Sequence, residues 1–243
     1  MASLQHRKET LMHYAVLGTG VVGRTIAAKL ASLGYEVVIG TREPSATLAR
    51  SEADGYGNPP FATWQRDNPG VRLATFAEAA VGADAVINAT AGAIALDVLA
   101  AAGADNLAGK VLADVANPLD FSAGIPPSLH PVNTDSLGEQ IQRAFPETKV
   151  VKTLNTMNTT IMVDPALVPG EHNVFISGND AGAKKAVTEL LTSFGWPQPS
   201  ITDLGDITTA RGTEMLVAIW LRLWGALGHA EFNFHIAGAH RAA

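Results

Sequence analysis

The stretch Tyr14–Arg42, YAVLGTGVVGRTIAAKLASLGYEVVIGTR, decides the fold of this chain. An apolar run typical of a β-strand leads into Gly18–Gly23, which fits the pattern G-x-G-x-x-G, and a helical segment follows. Gly34 ends that helix, as glycine often does, and Tyr35–Ile39 reads as the next strand. In this strand–turn–helix context the pattern indicates a dinucleotide-binding turn; the alternative is a structural glycine turn of another α/β protein.

Each glycine of the turn has a separate physical role. Gly18 adopts backbone angles that a side chain would forbid, and Gly20 lets a pyrophosphate approach the main chain. Gly23 allows the helix to pack closely on the strand, while the N–H groups of the first helical turn face the phosphates. The predicted phosphate-binding residues are Gly18, Thr19, Gly20, Val21, Val22 and Gly23.

The end of the second strand selects the dinucleotide. An NAD site usually carries Asp or Glu about 20 residues after the glycine turn, to bind the ribose hydroxyls. Here the strand ends in Gly40-Thr41-Arg42. Thr41 offers a hydroxyl and Arg42 offers two charge-assisted bonds to a 2′-phosphate, so we predict NADP(H) as the cofactor. Two alternatives are Glu43 as a displaced ribose ligand and Arg42 as a solvated loop charge.

Composition narrows the class of protein. The chain has 243 residues, 47% of them hydrophobic and 16% charged, as in a well-buried globular protein. Its net charge of −6 argues against a nucleic-acid partner. It has no cysteine, which excludes disulfides, thiolate catalysis and cysteine-ligated metals. Residues 1–10 lack the apolar core of a signal peptide, and Met215–Leu227 is too short to span a membrane. We therefore expect a cytoplasmic protein without a membrane partner.

Strand and helix patterns alternate along the chain, with seven or eight strands. This order predicts an α/β fold with a Rossmann-type, doubly wound, mostly parallel sheet. Thr75 and Glu78 form a predicted capping box, and Asp180 is a predicted helix N-cap. Asp54–Gly70 is a long excursion with one helical turn, in which Trp64 either anchors the loop to the core or covers the adenine or a dimer neighbour.

Small and polar residues follow three predicted strands at their carboxyl ends, where ligands bind in open α/β sheets. Asn117 either bonds the nicotinamide carboxamide or stabilises the turn before Pro118. For the other strand-end positions, the alternative is that they are only turn residues. Candidate cofactor-binding residues are Ala89, Thr90, Ala91, Ala116, Asn117 and Pro118, and candidate substrate-binding residues are Asn155, Thr156 and Met157.

The last part of the chain changes character. We predict an NADP-binding domain over residues 1–205 and a C-terminal helical segment over residues 206–243. This segment is apolar on every side of a helix, so part of it is expected to pack on a second subunit as a homodimer. Arg211 and Glu214 are spaced to pair along the helix. Arg211 faces either the cleft or solvent, and its clustering with Asp203 and Asp206 favours the cleft as a substrate residue.

No catalytic set or metal-ligand spacing stands out, and the seven histidines are scattered. An acceptor that itself carries hydride would explain this, because the protein then only has to stack two rings and exclude water. We therefore predict no catalytic side chain and no metal.

The chain resembles the NADPH-dependent reductases of the deazaflavin coenzyme F420 (F420:NADP oxidoreductases). The resemblance spans most of the chain and is strongest at AVLGTGVVG, VVIGTRE, ADVANPL and VVKTLNTMN. The nucleotide domain of membrane ferric reductases is similar as well. The resemblance implies NADP on Gly18–Gly23, with Thr41 and Arg42 on its 2′-phosphate and the nicotinamide near Thr90 and Asn117-Pro118. It places the deazaflavin against the nicotinamide, close to residues 155–157 and the start of the last helix. It also implies a dimer through the last helix.

The predicted activity is hydride transfer between NADP(H) and F420 or a flavin-like acceptor. The few cations available for the anionic tail of F420 are Lys152, Arg211 and Arg222. A second enzymatic hypothesis is an NADPH-dependent reductase of a small imine or carbonyl, which would need a proton donor near the nicotinamide. A third is a non-catalytic NADP(H)-sensing module, which would bind the dinucleotide without turnover.

Overall fold

The structure, a computed structural model, describes residues 12–54 and 57–238. Its strands are β1 His13–Leu17, β2 Glu36–Thr41, β3 Val71–Thr75, β4 Ala85–Asn88, β5 Val111–Asp114, β6 Leu119–Asp120, β7 Ser128–Leu129, β8 Lys149–Thr153, β9 Val174–Gly178 and β10 Ile201–Asp203. Its α-helices are α1 Val21–Ser32, α2 Pro44–Ala49, α3 Phe61–Asp67, α4 Phe76–Val81, α5 Ala95–Ala102, α6 Ala104–Leu107, α7 Leu137–Ala144, α8 Thr159–Val163, α9 Ala181–Ser193 and α10 Ala210–Leu227.

Eight strands form one sheet in the order β10-β9-β8-β5-β4-β1-β2-β3. All neighbours are parallel except β8 and β9, which run antiparallel. The predicted Rossmann-type, mostly parallel sheet is therefore confirmed. The strand order reverses between β1 and β4, and at such a point the carboxyl ends of parallel strands leave a crevice for a ligand. Strands β6 and β7 form a separate two-stranded hairpin that the sequence analysis missed.

Helices cover both faces of the sheet, which makes the fold doubly wound. One apolar cluster joins the sheet to α1, α8 and α9, and a second joins it to α4, α5, α7 and the start of α10. Trp64 packs partly buried against the first cluster, with its ring 5.3 Å from that of Phe61. Of the alternatives for Trp64, the structure thus supports the anchor.

Local capping signals in the sequence are realised at the helix starts. The Thr75 hydroxyl accepts a bond from Glu78 N at 3.3 Å, and Glu78 Oε2 accepts one from Thr75 N at 2.9 Å, which completes the capping box. Asp180 Oδ1 accepts from Ala183 N at 2.7 Å at the start of α9. These bonds satisfy N–H groups that have no partner inside the helix.

Only one side of helix α10 is buried in the subunit. Ala210, Thr213, Glu214 and Val217 face the body, whereas Met215, Ile219, Trp224 and Leu227 are exposed. Among the described residues, no helix is long and apolar enough to cross a membrane.

Candidate functional site

In the glycine turn, the packing of the protein itself requires glycine at positions 18 and 23, whereas the space beside Gly20 is open. Gly18 has φ +117°, and a Cβ there would lie 2.6 Å from the Ala89 carbonyl oxygen. A Cβ at Gly23 would lie 2.2 Å from the Gly18 oxygen. At Gly20, by contrast, a Cβ would meet nothing within 4 Å. Gly20 is also the N-cap of α1 and makes no side-chain capping bond, so the helix start presents free N–H groups beside open space. This cradle fits a pyrophosphate.

Replacing Gly20 with alanine is expected to weaken NADPH binding without harming the fold. The backbone at Gly20, with φ −72° and ψ 177°, suits alanine, and the added methyl group would enter open space where we expect the phosphates to bind. We expect the melting temperature to stay within about 2 °C of wild type and the Kd for NADPH to rise about 10-fold or more. Fluorescence titration measures the Kd. Gly82, at the end of α4, is the matched control because its Cβ position is also open. Unchanged NADPH affinity in Gly20→Ala would contradict the cradle.

At the end of β2, the Thr41 hydroxyl is buried and already engaged. Thr47 donates to the Glu43 carbonyl oxygen at 3.0 Å, so the hydroxyl–hydroxyl bond of 2.9 Å is donated by Thr41 to Thr47. Thr41 therefore has no proton left for a phosphate. The side chain of Glu43 caps α2 by accepting from Ser45 N at 3.3 Å, which argues against Glu43 as a displaced ribose ligand.

Arg42 is exposed, and within residues 12–54 and 57–238 no acidic side chain pairs with it. Among the candidate residues at this strand end, Arg42 is therefore the donor left for a 2′-phosphate.

A cavity of about 440 Å³ lies between the glycine turn and the segment that follows β2. Two arginines line it, and the sequence analysis did not identify either of them as a site residue. Arg24 and Arg50 line it together with Thr19. Arg24 Nε donates to the Thr19 carbonyl oxygen at 2.7 Å, Nη1 donates to the carbonyl oxygen of Pro59, and the guanidinium lies 5.5 Å from the Phe61 ring centroid. Burial lowers the pKa of Arg24, and the charge of Asp54 opposes that shift. The sequence did offer a signal for Arg24 as a residue of this cavity, because Arg24 directly follows Gly23 of the glycine turn.

The contacts of Arg24 tie the inserted segment before α3 to the glycine turn. Residues 59–61 are held to the same guanidinium that bonds Thr19, so the excursion forms a wall of this cavity.

A second cavity, of about 320 Å³, lies at the carboxyl ends of β4, β5 and β8. It brings together several predicted site residues. None of its described lining residues has an ionisable side chain. The lining consists of Val22, Ala89, Thr90, Ala91, Gly92, Ala93, Val115, Ala116, Asn117, Leu119, Phe121, Met157, Asn158, Thr159, Met162 and Trp220. The sequence analysis missed Phe121 and Trp220, which come from a loop and from α10.

Asn117 and Asn155 hold each other at the edge of this second cavity. Asn117 Nδ2 donates to the Asn155 carbonyl oxygen at 2.8 Å, and Asn155 Nδ2 donates to Asn117 Oδ1 at 2.9 Å. A Cβ at Gly92 would lie 2.2 Å from the Asn117 carbonyl oxygen, so a side chain at 92 would push this turn away. Asn155 and Thr156 are buried and, like Pro118, do not line the cavity. Asn155 thus supports the site from behind.

Behind the site lies a fully buried ion cluster. Lys152 Nζ is 2.7 Å from Asp114 Oδ2 and 2.8 Å from Glu214 Oε1, and it donates to the Ala116 carbonyl oxygen at 2.6 Å. Burial alone would lower the pKa of Lys152, but the charges of Asp114 and Glu214 outweigh it and raise that pKa above its ordinary value. Lys152 is therefore inaccessible to an anionic tail.

The ion pairs of α10 differ from the predicted ones. Arg211 makes a bidentate bond to Glu139, with Nε to Oε2 at 2.8 Å and Nη2 to Oε1 at 2.6 Å. Glu214 instead accepts from Leu137 N and Gly138 N at the start of α7, at 2.8 and 3.0 Å. The predicted Arg211–Glu214 pair was wrong, because each side chain reaches a partner on α7 or β8. Arg211 does not line the cavity of about 320 Å³ either.

Known proteins share this fold and parts of this sequence. The model of the family described as NADP oxidoreductase, coenzyme F420-dependent, matches residues 13–118. A crystal structure from Arthrobacter sp. FB24, described as a candidate F420-dependent NADP reductase, is 63% identical, with a TM-score of 0.88 over 93% of this chain and 99% of that one. The hypothetical protein SMa0349 from Sinorhizobium meliloti is 22% identical, with a TM-score of 0.64 over 83% of this chain and 89% of that one, which shows the fold alone.

A longer curated relative matches over most of this chain. The metalloreductase STEAP3 of Rattus norvegicus is 28% identical over 210 residues, which are 86% of this chain and 37% of that protein. This chain thus corresponds to 37% of the length of that relative.

Fold and comparisons together define the class as a Rossmann-type, NADP-dependent oxidoreductase. Within that class, the chain belongs to the family of F420-dependent NADP oxidoreductases.

Proposed function

We propose that this protein transfers hydride between NADP(H) and coenzyme F420 or a flavin-like acceptor. The observation that carries the proposal is the second cavity: it lies at the carboxyl ends of three strands, and its described lining holds no ionisable side chain. The dihydronicotinamide of NADPH and an oxidised deazaflavin or flavin ring carry no formal charge, so a close, apolar enclosure suits their stacking. Hydride transfer turns the nicotinamide into a cation, and the reduced acceptor takes up its proton from solvent, so the lining need not supply an acid or a base. Family membership supports the same chemistry.

The residues of this cavity have distinct roles in the proposal. Three small residues allow a ring to approach the backbone closely: Ala89, Ala91 and Gly92. Thr90 is oriented by its bond to Asn88 Oδ1 at 2.7 Å, and Asn117 is held by Asn155, so polar groups are fixed at the rim before a ligand arrives. Such preorganisation lowers the entropic cost of aligning two rings.

The rival functions make different demands on this cavity. Reduction of a small imine or carbonyl calls for a proton donor at the reacting atom, and the described lining offers only amide, hydroxyl and indole groups. An NADP(H)-sensing module requires binding without turnover, for which an enclosure beyond the cofactor turn is unnecessary.

For the cofactor, we propose that Gly18–Gly23 hold the pyrophosphate and that Arg42 binds the 2′-phosphate at the end of β2. Support comes from the open position at Gly20 and from the exposed Arg42 side chain, which has no acidic partner in the described part of the chain. Thr41 is assigned an indirect part through its bond to Thr47.

We also propose that residues 206–243 act as a separate C-terminal segment that joins two copies of the chain. The exposed apolar side chains of α10, Met215, Ile219, Trp224 and Leu227, support this role, because isolated subunits seldom leave such a stripe in water. Light scattering during size exclusion should give about twice the chain mass of 25.4 kDa, and a single chain mass would overturn the dimer.

Stopped-flow absorbance tests the proposed reaction. In each run the protein is mixed with NADPH and one acceptor, which is F420, FMN, FAD or a quinone, and the oxidation of NADPH is followed. Rapid reduction of F420 or a flavin is the expected result. Tight NADPH binding with no acceptor reduced would overturn the hydride-transfer proposal and favour the sensor. Turnover with cyclic imines alone would favour the second enzymatic hypothesis.

A further inference from the structure

A third cavity, of about 670 Å³, adjoins the second one on the side of the β6–β7 hairpin and the start of α7. The two cavities share four lining residues, which are Gly92, Ala93, Leu119 and Phe121. A substituent carried by a ring in the second cavity therefore has the third cavity within its reach.

Unlike the second cavity, the third cavity has acidic side chains in its lining. Asp97 and Asp120 both line it, and in the described part of the chain no lysine or arginine does so. Its remaining described lining residues are Leu96, His130, Pro131, Leu137 and Gln140. A protonated His130 offsets at most one of the two carboxylates, so the lining is negative at neutral pH.

The surroundings of the two carboxylates keep them charged. Asp120 Oδ1 accepts from Ser122 N at 2.9 Å, and hydrogen bonds from the Ser122 N–H and hydroxyl lower the pKa of Asp120 below its ordinary value. Asp97 is exposed in the first turn of α5, where a carboxylate offsets the partial positive charge of the helix start. Both side chains therefore repel an anion that enters the third cavity.

The arginines on neighbouring elements are already paired with acids. Arg143 of α7 donates to Asp135 through both Nη atoms, at 3.0 and 2.7 Å, and Arg211 makes its bidentate bond to Glu139. Neither arginine lines the third cavity. An anionic substituent would thus meet two carboxylates there and no arginine or lysine of the described lining.

We propose that the third cavity binds the uncharged polyhydroxyl substituent of a flavin-type acceptor and selects against acceptors whose substituent ends in a phosphate. Ionised carboxylates only accept hydrogen bonds, so Asp97 and Asp120 suit the hydroxyl groups of such a substituent. The inference rests on the proposed hydride transfer and narrows its acceptor to the riboflavin class, which places F420, with its anionic tail, among the disfavoured acceptors. NADPH passes hydride to the flavin, and the products are NADP⁺ and, with one proton from solvent, the reduced flavin.

Riboflavin and FMN test this selection, because they share the ring and the polyol and differ only in the terminal phosphate. Steady-state kinetics at saturating NADPH and low ionic strength gives kcat/KM for each flavin. The phosphate carries a charge of about −1.5 to −2, and inside the cavity it lies within about one Debye length of both carboxylates. We expect the wild type to favour riboflavin about 5-fold, mainly through KM, and about 0.5 M salt to reduce that preference.

The double variant Asp97→Asn, Asp120→Asn keeps the size of both side chains and removes their charge. We expect it to reduce the preference for riboflavin about 3-fold or more. The matched control is Asp105→Asn with Glu147→Gln, which changes the net charge equally. Both control residues are exposed, lie outside the cavity lining and shortly precede β5 and β8, at the opposite edge of the sheet. The control should keep the preference of the wild type.

The outcomes separate this inference from the proposed function. A wild type that uses FMN as well as riboflavin, or better, overturns the inference and leaves the proposed hydride transfer standing. A preference for riboflavin that neither salt nor the double variant reduces also overturns it, because the carboxylates are then not its cause. The salt series uses the wild type and decides the matter even if thermal unfolding shows that the double variant has lost its fold. If riboflavin, FMN and F420 are all left unreduced, the proposed function fails, and this inference fails with it.

Discussion

Replacing Arg42 with alanine is expected to lower the preference for NADPH over NADH by about 100-fold. A guanidinium makes two charge-assisted bonds to a 2′-phosphate, each worth about 1.5 kcal/mol, and both are absent with NADH. Arg42 is exposed and unpaired in the described structure, so the substitution breaks no internal bond. The ratio of the two Kd values, measured by fluorescence titration, isolates the effect from general damage to the site.

Lys185→Ala is the control for net charge in this experiment. Lys185 is an exposed residue of α9, and its one ion pair within residues 12–54 and 57–238, with Glu189, spans 3.8 Å. Removing it changes the net charge by the same amount without touching the site. The assignment of Arg42 is wrong if Arg42→Ala keeps the NADPH preference of the wild type.

Replacing Lys152 with methionine is expected to destabilise the protein by about 3–5 kcal/mol, because it leaves two buried carboxylates without their cation. Lys152 and Asp114 are wholly buried, and Glu214 is nearly so. For a chain of this length, such a loss lowers the melting temperature by about 10 °C. Urea denaturation gives the free energy of unfolding directly.

Lys149→Met on the same strand provides the matched control. Lys149 is 44% exposed and pairs with Asp180 only at 3.7 Å, so its loss should cost less than about 1 kcal/mol. Adding Glu214→Gln to Lys152→Met removes one of the stranded charges, and the double-mutant cycle should show a coupling of more than about 1 kcal/mol. If the free energies of unfolding of Lys152→Met and Lys149→Met differ by less than about 1 kcal/mol, the ion cluster contributes little to stability.

Features of the fold that depend on near neighbours were predictable. The glycine turn, the Thr75–Glu78 capping box and the Asp180 cap each use residues within a few positions of one another. The physical rules behind them act over one helical turn or one tight loop, so they can be recognised along the chain. The gathering of Thr90, Asn117 and Met157 around one cavity also followed from the sequence, since the carboxyl ends of parallel strands meet at one edge.

The short strands and helices were harder to predict from the sequence. The β6–β7 hairpin and helix α8 have no strong periodic signal, because two-residue strands and a five-residue helix are too short to show one. Phe121, which follows β6, therefore went unnoticed as a cavity residue.

By itself, the sequence determined the parallel sheet, the glycine turn between β1 and α1, and the position of Arg42 directly after β2. Only the tertiary structure decided which charges meet. Lys152 bonds Asp114 across 38 residues of chain, and Arg211 bonds Glu139 across 72, although Glu214 stands three positions away on the same helix. Side-chain partners at such separations depend on how α7, β8 and α10 pack. Packing also brings Trp220 into the cavity, because no local rule aims a residue of the last helix at the ends of strands β4 and β5.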